Sequence, residues 1–271
     1  MPTEANAPIL GIIGGTGALG GAIARAVLAS RWVAPAQLWL ANRSGTPSGF
    51  EPAAGITFTS DASAVIASSD IVVLSVPPDR VADLPLRAPE TLVVSVVAGL
   101  GLDRLADMTG SDRVVRAMSS PAAATGLAYS PWVAGPGVSA VDRALVTALF
   151  EACGQTDEVT NEAQIEVFTA LTGPVPGFVA FYAAAMIDFA RARGVDPDIA
   201  DKAVRQLFLS AGRILSEESS PAADHVDAMI TYAGTTAAGL TVLRDGPSGT
   251  ALAEALDAAV ARVRTIGQDD G

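Results

Sequence analysis

The sequence predicts an α/β, doubly wound domain over residues 1–160, followed by an all-α helical domain over residues 161–271. Three observations carry this reading. Short, almost unbroken runs of Val, Ile and Leu alternate with helical stretches in the first part. Such runs mark strands buried on both faces, and hence a parallel sheet covered by helices. A glycine-rich segment, "GIIGGTGALGG", sits between the first strand and the first helix. After Asn161 the strand signals stop.

The elements follow from local pattern. "PILGII" reads as the first strand, and Ala18 to Ser30 as a helix with apolar residues at helical spacing and Arg25 on the other side. "QLWLAN", "ITFTS", "DIVVLSV" and "TLVVSVVAG" read as strands two to five. "RVVRAM" and a weaker "LAYSPWVAG" come next. Ser139 with Asp142 three residues on is a helix-start signature before "ALVTALFEACG". "QTDEVT" reads as one more short strand. Asn161 with Gln164 again starts a helix, and further helices are expected over 176–193, 197–217, 221–230, 234–245 and 248–265. Asp196-Pro197 is a cap followed by proline at the first helical position.

Composition narrows the function. Half the residues are hydrophobic, so a sizeable core is available. With 29 acids against 17 bases and a net charge of -12, neither nucleic acid nor an anionic membrane surface is expected as a partner. Cys153 is the sole cysteine, which excludes an internal disulfide or a cysteine cluster, and no metal is called for. "MPTEANAPIL" has no positively charged start of the signal-peptide kind. The uncharged stretch from Val167 to Ile187 is interrupted by "TGPVPG", and reads as a loop and a buried helix rather than a membrane span. A cytoplasmic location is expected.

Gly15-Thr16-Gly17-Ala18-Leu19-Gly20 is a G-x-G-x-x-G placed between a strand and a helix. There the glycines serve a tight turn, close approach of a pyrophosphate, and close helix–strand packing, as in a Rossmann domain. The helix start offers free N–H groups and a favourable dipole to phosphates. A carboxylate at the end of the second strand would select NAD. Asn42, Arg43 and Ser44 stand there instead, and a guanidinium with small polar neighbours suits a 2′-phosphate. NADP(H) is the expected cofactor, although a solvated loop arginine is the plain alternative. Ser75, Val76, Pro77 and Ala98 end the fourth and fifth strands and are candidate walls on the nicotinamide side.

The helical half offers little acid–base chemistry. Lys202 and His225 are single representatives of their kinds; the one reads as a solvated helix residue, the other as a solvated or capping one. An imine carbon, electrophilic when protonated, needs orientation and hydrogen-bond donors more than a strong acid. "TGPVPG" and "TYAGTTAAGL" supply such groups near helix starts. "FVAFYAAAMIDFA" is apolar on more than one face, which calls for a partner subunit as cover.

Through nearly its whole length the chain resembles the pyrroline-5-carboxylate reductase family. "GTGALG" is similar to the family's G-A-G-N-M-G, "LSVPPDR" to A-V-K-P-Q, and "VVSVVAGL" to V-S-I-A-A-G-I. "RVVRAMSSPAA", "LTGPVPGFV" and "DAMITYAGTTAAGL" parallel three further segments in the same order. The resemblance implies an NAD(P)H-binding Rossmann domain, a helical dimerisation domain, and reduction of 1-pyrroline-5-carboxylate to L-proline. It implies substrate binding by Ser120, by Thr172, Gly173, Pro174 and Val175, and by Gly234 and Thr235. Thr236 would bond the ring nitrogen. There are departures: Pro77 stands at the family's lysine, Ser119-Ser120-Pro121 replaces P-N-T-P, Pro174 and Pro176 remove backbone donors, and Thr231-Tyr232-Ala233-Gly234 replaces S-P-G-G. A different imine as substrate, or an NADP-binding homodimer without catalysis, are the alternatives. Retention of Thr235-Thr236 speaks against the latter.

Overall fold

The computed structural model describes residues 8–47, 49–50, 55–173 and 176–266. The first part holds strands β1 (Leu10–Ile13), β2 (Leu38–Ala41), β3 (Thr57–Thr59), β4 (Ile71–Leu74), β5 (Leu92–Ser95), β6 (Val114–Ala117) and β8 (Trp132–Ala134) in one sheet. Their order is β3-β2-β1-β4-β5-β6-β8, parallel throughout except for the β6–β8 pair. The order reverses between β1 and β4, the switch point at which doubly wound sheets bind ligands.

The central strands β1, β4 and β5 are buried on both faces, which is why they carry no polar alternation, whereas the edge strand β3 reads Thr57-Phe58-Thr59 and is half-buried. In β4, Ile71 and Val73 enter one core cluster, with Ile23 and Val27 of helix α1 (Ala18–Ala29) and Leu149 and Phe150 of α4 (Ala140–Glu151). Val72 and Leu74 enter the other, with Val65 of α2 (Ala62–Ser68) and Leu105 of α3 (Leu102–Thr109). This is the two-residue strand period with apolar side chains on both sides.

Helix starts fall where the capping residues stand. Ser139 Oγ accepts from Asp142 N, and an Asp142 carboxylate oxygen accepts from Ser139 N in return. Asn161 accepts from Gln164 N at the start of α5 (Glu162–Leu171). Asp196 accepts from Asp198 N and Ile199 N at the start of α7 (Pro197–Glu217). The helices α6 (Gly177–Arg191), α8 (Ala222–Thr231), α9 (Thr235–Asp245) and α10 (Ser248–Ile266) complete the chain.

Two sequence expectations need correction. "LAYSPWVAG" is broken at Pro131 into β7 (Ala128–Tyr129) and β8, and β8 runs antiparallel to β6. "QTDEVT" is not a strand of its own length: β9 is Gly154–Gln155, pairing with β7, with a single further bridge at Glu158. Its acids are used by side chains instead, Asp157 accepting from Tyr129 Oη and Glu158 from Arg143.

Two compact units divide the described residues. One lies within Met1–Pro174 together with Ala259–Gly271, the other within Val175–Ala258. Compactness therefore groups α5 with the sheet, past residue 160. Ile165 of α5 is buried with Met118 and Val133 of the sheet region, and a carboxylate adds a tie. Glu162 of α5 accepts from the buried Arg116 of β6 at 2.8 Å.

Asp142 is a second electrostatic tie in the first unit. Arg113 donates to both of its oxygens, at 3.0 and 2.6 Å, and Ser139 donates from both N and Oγ. The Arg113 guanidinium, above all, holds this carboxyl at about 2, below its ordinary 3.8. A depressed carboxylate stabilises the fold fully above its unfolded pKa, and that stability is lost as pH falls from near 3.8 through about 2. The shift corresponds to about 2 kcal/mol. Urea unfolding followed against pH should show Asp142→Asn with a shallower loss of stability in that acid window than the parent. Equal slopes would refute the assignment.

Candidate functional site

The site is assembled around the glycine loop. Gly14 and Gly15 both donate their N–H groups to Ala41 O, at 2.9 and 3.1 Å, which ties the loop to the end of β2. Gly14 has φ 87°, and a Cβ there would lie 2.1 Å from Ser75 O. A side chain at Gly14 would therefore force the loop away from β4. Gly20 is demanded by packing: a Cβ would come 2.4 Å from Gly14 O. Gly17 differs, because its Cβ position meets just one protein atom within 4 Å, Gly14 O at 3.2 Å, and the residue is exposed.

Gly17 is also the N-cap of α1, with no side-chain cap and no acid in the first turn. The first-turn N–H groups of Ala18 and Leu19 thus face outward beside Gly15 and Thr16, with the helix dipole behind them. That arrangement is suited to an anion. A side-chain carboxylate at this place would have filled it.

The loop after β2 lies beside the glycine loop through the shared Ala41. Asn42 is its clasp, with Nδ2 donating to Thr46 O at 2.7 Å and Oδ1 accepting from Ser44 Oγ at 3.2 Å. Ser44 also shares a 2.7 Å hydrogen bond with Thr46. Arg43 at the tip is exposed, and its guanidinium has no partner among the described residues. Asn42 and Ser44 shape the turn, and Arg43 is left as the free cation.

Ser75, Val76 and Pro77 follow β4 across the crevice, with Ser75 N donating to Ile13 O at 2.8 Å. Ala98 follows β5 and lines a small cavity with Pro78 and Val81. Ser120 is buried and precedes a 3-10 turn, Pro121–Thr125, that packs along α1. Its neighbour Ser119 shares a 2.8 Å hydrogen bond with Ser130. Gly173 closes on the same place: its Cβ position is 3.3 Å from Met118 Sδ and 2.6 Å from Thr169 O. Thr172 Oγ1 donates to Phe168 O at 3.0 Å. The first unit therefore gathers the glycine loop, the Arg43 loop, the β4 and β5 ends, Ser120 and Thr172–Gly173 along the carboxyl ends of its strands. Pro174 and Val175 lie outside the described residues.

Gly234, Thr235 and Thr236 belong to the second unit. Gly234 is the N-cap of α9, with no side-chain cap and no acid in the first turn. Thr236 is therefore the second residue of the helix, not its cap, and both threonines are exposed with hydroxyls unpartnered among the described residues. The preceding Ala233 has φ 56°, a left-handed conformation that costs a non-glycine residue on the order of 1 kcal/mol. His225 stands at the start of α8 with Nε2 3.7 Å from Glu218 Oε2. Among the described residues no group of three or more His, Cys, Asp or Glu could hold a metal. No described helix is long and apolar enough to cross a membrane.

Cys153 takes no part. It is fully buried at the end of α4, its thiol directed to Leu149 O, and burial pushes its pKa up to about 12. A thiol reagent at neutral pH should leave the native protein unmodified and label it fully in denaturant, by mass spectrometry. Rapid native labelling would contradict this burial.

An open parallel sheet with an uncapped glycine turn at its switch point defines a dinucleotide-binding α/β protein, here continued by an antiparallel edge and a helical unit. Comparison with known proteins sharpens this. Residues 9–99 match a family described as NADP oxidoreductase coenzyme F420-dependent, and residues 162–266 match one described as pyrroline-5-carboxylate reductase dimerisation. The chain is 30% identical over 278 residues to pyrroline-5-carboxylate reductase of Arabidopsis thaliana, covering 99% of each chain. It is 32% identical over 219 residues to that of Vibrio alginolyticus, covering 78% of this chain and 80% of the other. The solved pyrroline-5-carboxylate reductase of Coxiella burnetii is similar with a TM-score of 0.87 and 25% identity, over 96% of this chain and 99% of that one. The chain belongs to the pyrroline-5-carboxylate reductase family.

The sequence reading did not find Gly14 or Glu162. Gly14 lies just before the motif and is explained by Ser75, which is remote in sequence. Glu162 is explained by Arg116 and Leu102, equally remote in sequence.

Proposed function

We propose that this protein is an NADPH-dependent reductase of 1-pyrroline-5-carboxylate, forming L-proline. The observation that carries the reading is the 30% identity extending over 99% of both chains with a protein named for that activity. The cofactor fits the residues present. The first-turn N–H groups after Gly15, Thr16 and Gly17 would hold the pyrophosphate, and Arg43, set by Asn42 and Ser44, the 2′-phosphate. Ser75, Val76, Pro77 and Ala98 would wall the nicotinamide. Bound NADPH supplies the reducing equivalent for the C=N bond.

The chain's own residues bind and orient the imine. Ser120 and Thr172–Gly173 line its place on the first unit, with Pro174 and Val175 continuing that segment. Gly234 and Thr235 offer N–H and hydroxyl donors to the substrate carboxylate. The Thr236 hydroxyl donates to the ring nitrogen and so fixes the carbon to be reduced. Functionally we divide the chain near residue 160, the sheet carrying cofactor and the helices 161–271 carrying dimerisation.

A homodimer is part of this proposal. Phe181, Phe189, Leu209 and Val242 of the helical unit are 69%, 59%, 57% and 73% exposed, and α6 and α8 bury no residue at all. Helices this apolar require cover. Light scattering at micromolar concentration is expected to give at least twice the 27.4 kDa chain mass; a monomer would refute it. The excess of acids supports a small-molecule substrate rather than nucleic acid, and we place the protein in the cytoplasm. The deciding experiment is loss of nicotinamide absorbance when purified protein receives NADPH and 1-pyrroline-5-carboxylate. No loss with this substrate, but loss with another cyclic imine, would move the substrate assignment.

A further inference from the structure

We infer that Glu162, held by Arg116, is a positioning residue that sets the cofactor wall and the substrate wall of the first unit against each other. The inference rests on the proposed roles of Ala98, Ser120 and Thr172–Gly173. Arg116 lies in β6 with its side chain 7% exposed, and donates to Glu162 Oε1 at 2.8 Å. The same oxygen accepts from Leu102 N at 2.9 Å. Leu102 is the first residue of α3, whose N-cap Gly101 provides no side-chain cap. One carboxylate oxygen of α5 thus joins its helix to a strand and a second helix that are 46 and 60 residues away in sequence.

Each joined element carries a site segment. The Leu102 N–H ends the loop that begins with Ala98. Arg116 lies two residues before Met118, which leads into Ser119 and Ser120. Glu162 opens α5, which ends at Leu171, just before Thr172–Gly173. A small apolar cluster of Met118, Val133 and Ile165, with Leu102 against it, fills the space beneath these segments. Just past the end of α5, Gly173 passes near Met118, where a Cβ would come 3.3 Å from Sδ. The helix is therefore held near its start by charge at Glu162 and by the apolar packing of Ile165. A buried ion pair adds little net stability over an apolar replacement, but it fixes geometry, since each partner is costly to leave alone. Alignment errors of about 1 Å are enough to cost rate.

The test is the double variant Arg116→Met, Glu162→Gln. Glutamine keeps an acceptor for Leu102 N–H, and methionine fills the arginine's space without a buried charge, so the fold is retained. Melting temperature, NADPH affinity by fluorescence titration, and kcat and KM for 1-pyrroline-5-carboxylate are measured on parent and variant. The expected result is a melting temperature close to the parent's and an NADPH Kd within about twofold. With these, kcat/KM should fall about tenfold or more, kcat included. Glu162→Asp, which keeps the charge on a shorter stem, should fall between parent and double variant. Unchanged kcat/KM per folded protein, with or without a lower melting temperature, would overturn the positioning role. Absence of turnover in the parent would overturn the functional reading itself, and this inference with it.

Discussion

Replacing Thr236 with alanine is expected to lower kcat and kcat/KM together, by about 10- to 100-fold, while the melting temperature stays near that of the parent. Two readings of this threonine compete. A capping hydroxyl would contribute roughly 1 kcal/mol to stability. Gly234, however, is the N-cap of α9, and Thr236 stands in the first turn with its hydroxyl exposed and without a described partner. Stability therefore has little to lose. A hydrogen bond to a developing charge contributes about 1.5–3 kcal/mol. An interaction made in the transition state lowers kcat and kcat/KM equally. NADPH affinity should change little, since the groups proposed to hold its phosphates all lie on the sheet unit. Steady-state kinetics at saturating NADPH, with thermal melts alongside, decide the matter. A variant that melts early but turns over normally would make Thr236 structural.

Arg43→Ala is expected to remove most of the preference for NADPH over NADH, again by about 10- to 100-fold in the ratio of kcat/KM values. Arg43 is the tip of a turn clasped by the Asn42 side chain, and its guanidinium is committed to nothing else among the described residues. No carboxylate stands at the end of β2 to bind the ribose of NADH in its place. A charge-assisted contact to a 2′-phosphate contributes about 1.5–3 kcal/mol. The substitution should leave NADH turnover nearly unchanged, because that cofactor lacks the phosphate. Equal efficiency of the parent with both cofactors would defeat the assignment before any mutation is made.

The residues behind these two predictions were legible to different degrees. Arg43 could be read locally, since a strand end about twenty residues past a glycine loop has a fixed place in this fold. Thr236 could not. "AGTT" before a helix suggests a cap as readily as a ligand group, and resemblance to the family alone pointed to the ring nitrogen. The structure then removed the capping alternative by placing Gly234 at the cap. The resemblance sets Ala233 against a glycine, and Ala233 has φ 56°, in the left-handed region that favours glycine.

The sequence by itself determined the elements and their class. Unbroken Val/Ile/Leu runs gave buried parallel strands, and Ser139, Asn161 and Asp196 set helix starts, because a capping side chain reaches N–H groups two or three residues away. The glycine turn from β1 into α1, where we propose the phosphates bind, was likewise a local matter. Tertiary structure alone decided the rest. Gly14 is required because Ser75 O would meet its Cβ at 2.1 Å. The antiparallel turn of β8 and the shortness of β9 depend on partners far along the chain. Likewise α5 lies with the sheet, where Ile165 packs on Met118 and Val133 and Glu162 meets Arg116 and Leu102 N, at separations of 46 and 60 residues. Capping and periodicity act within a few residues and can be read from order alone. A buried charge pair or a backbone close approach exists once distant segments have been brought together, and no local pattern encodes which ones meet.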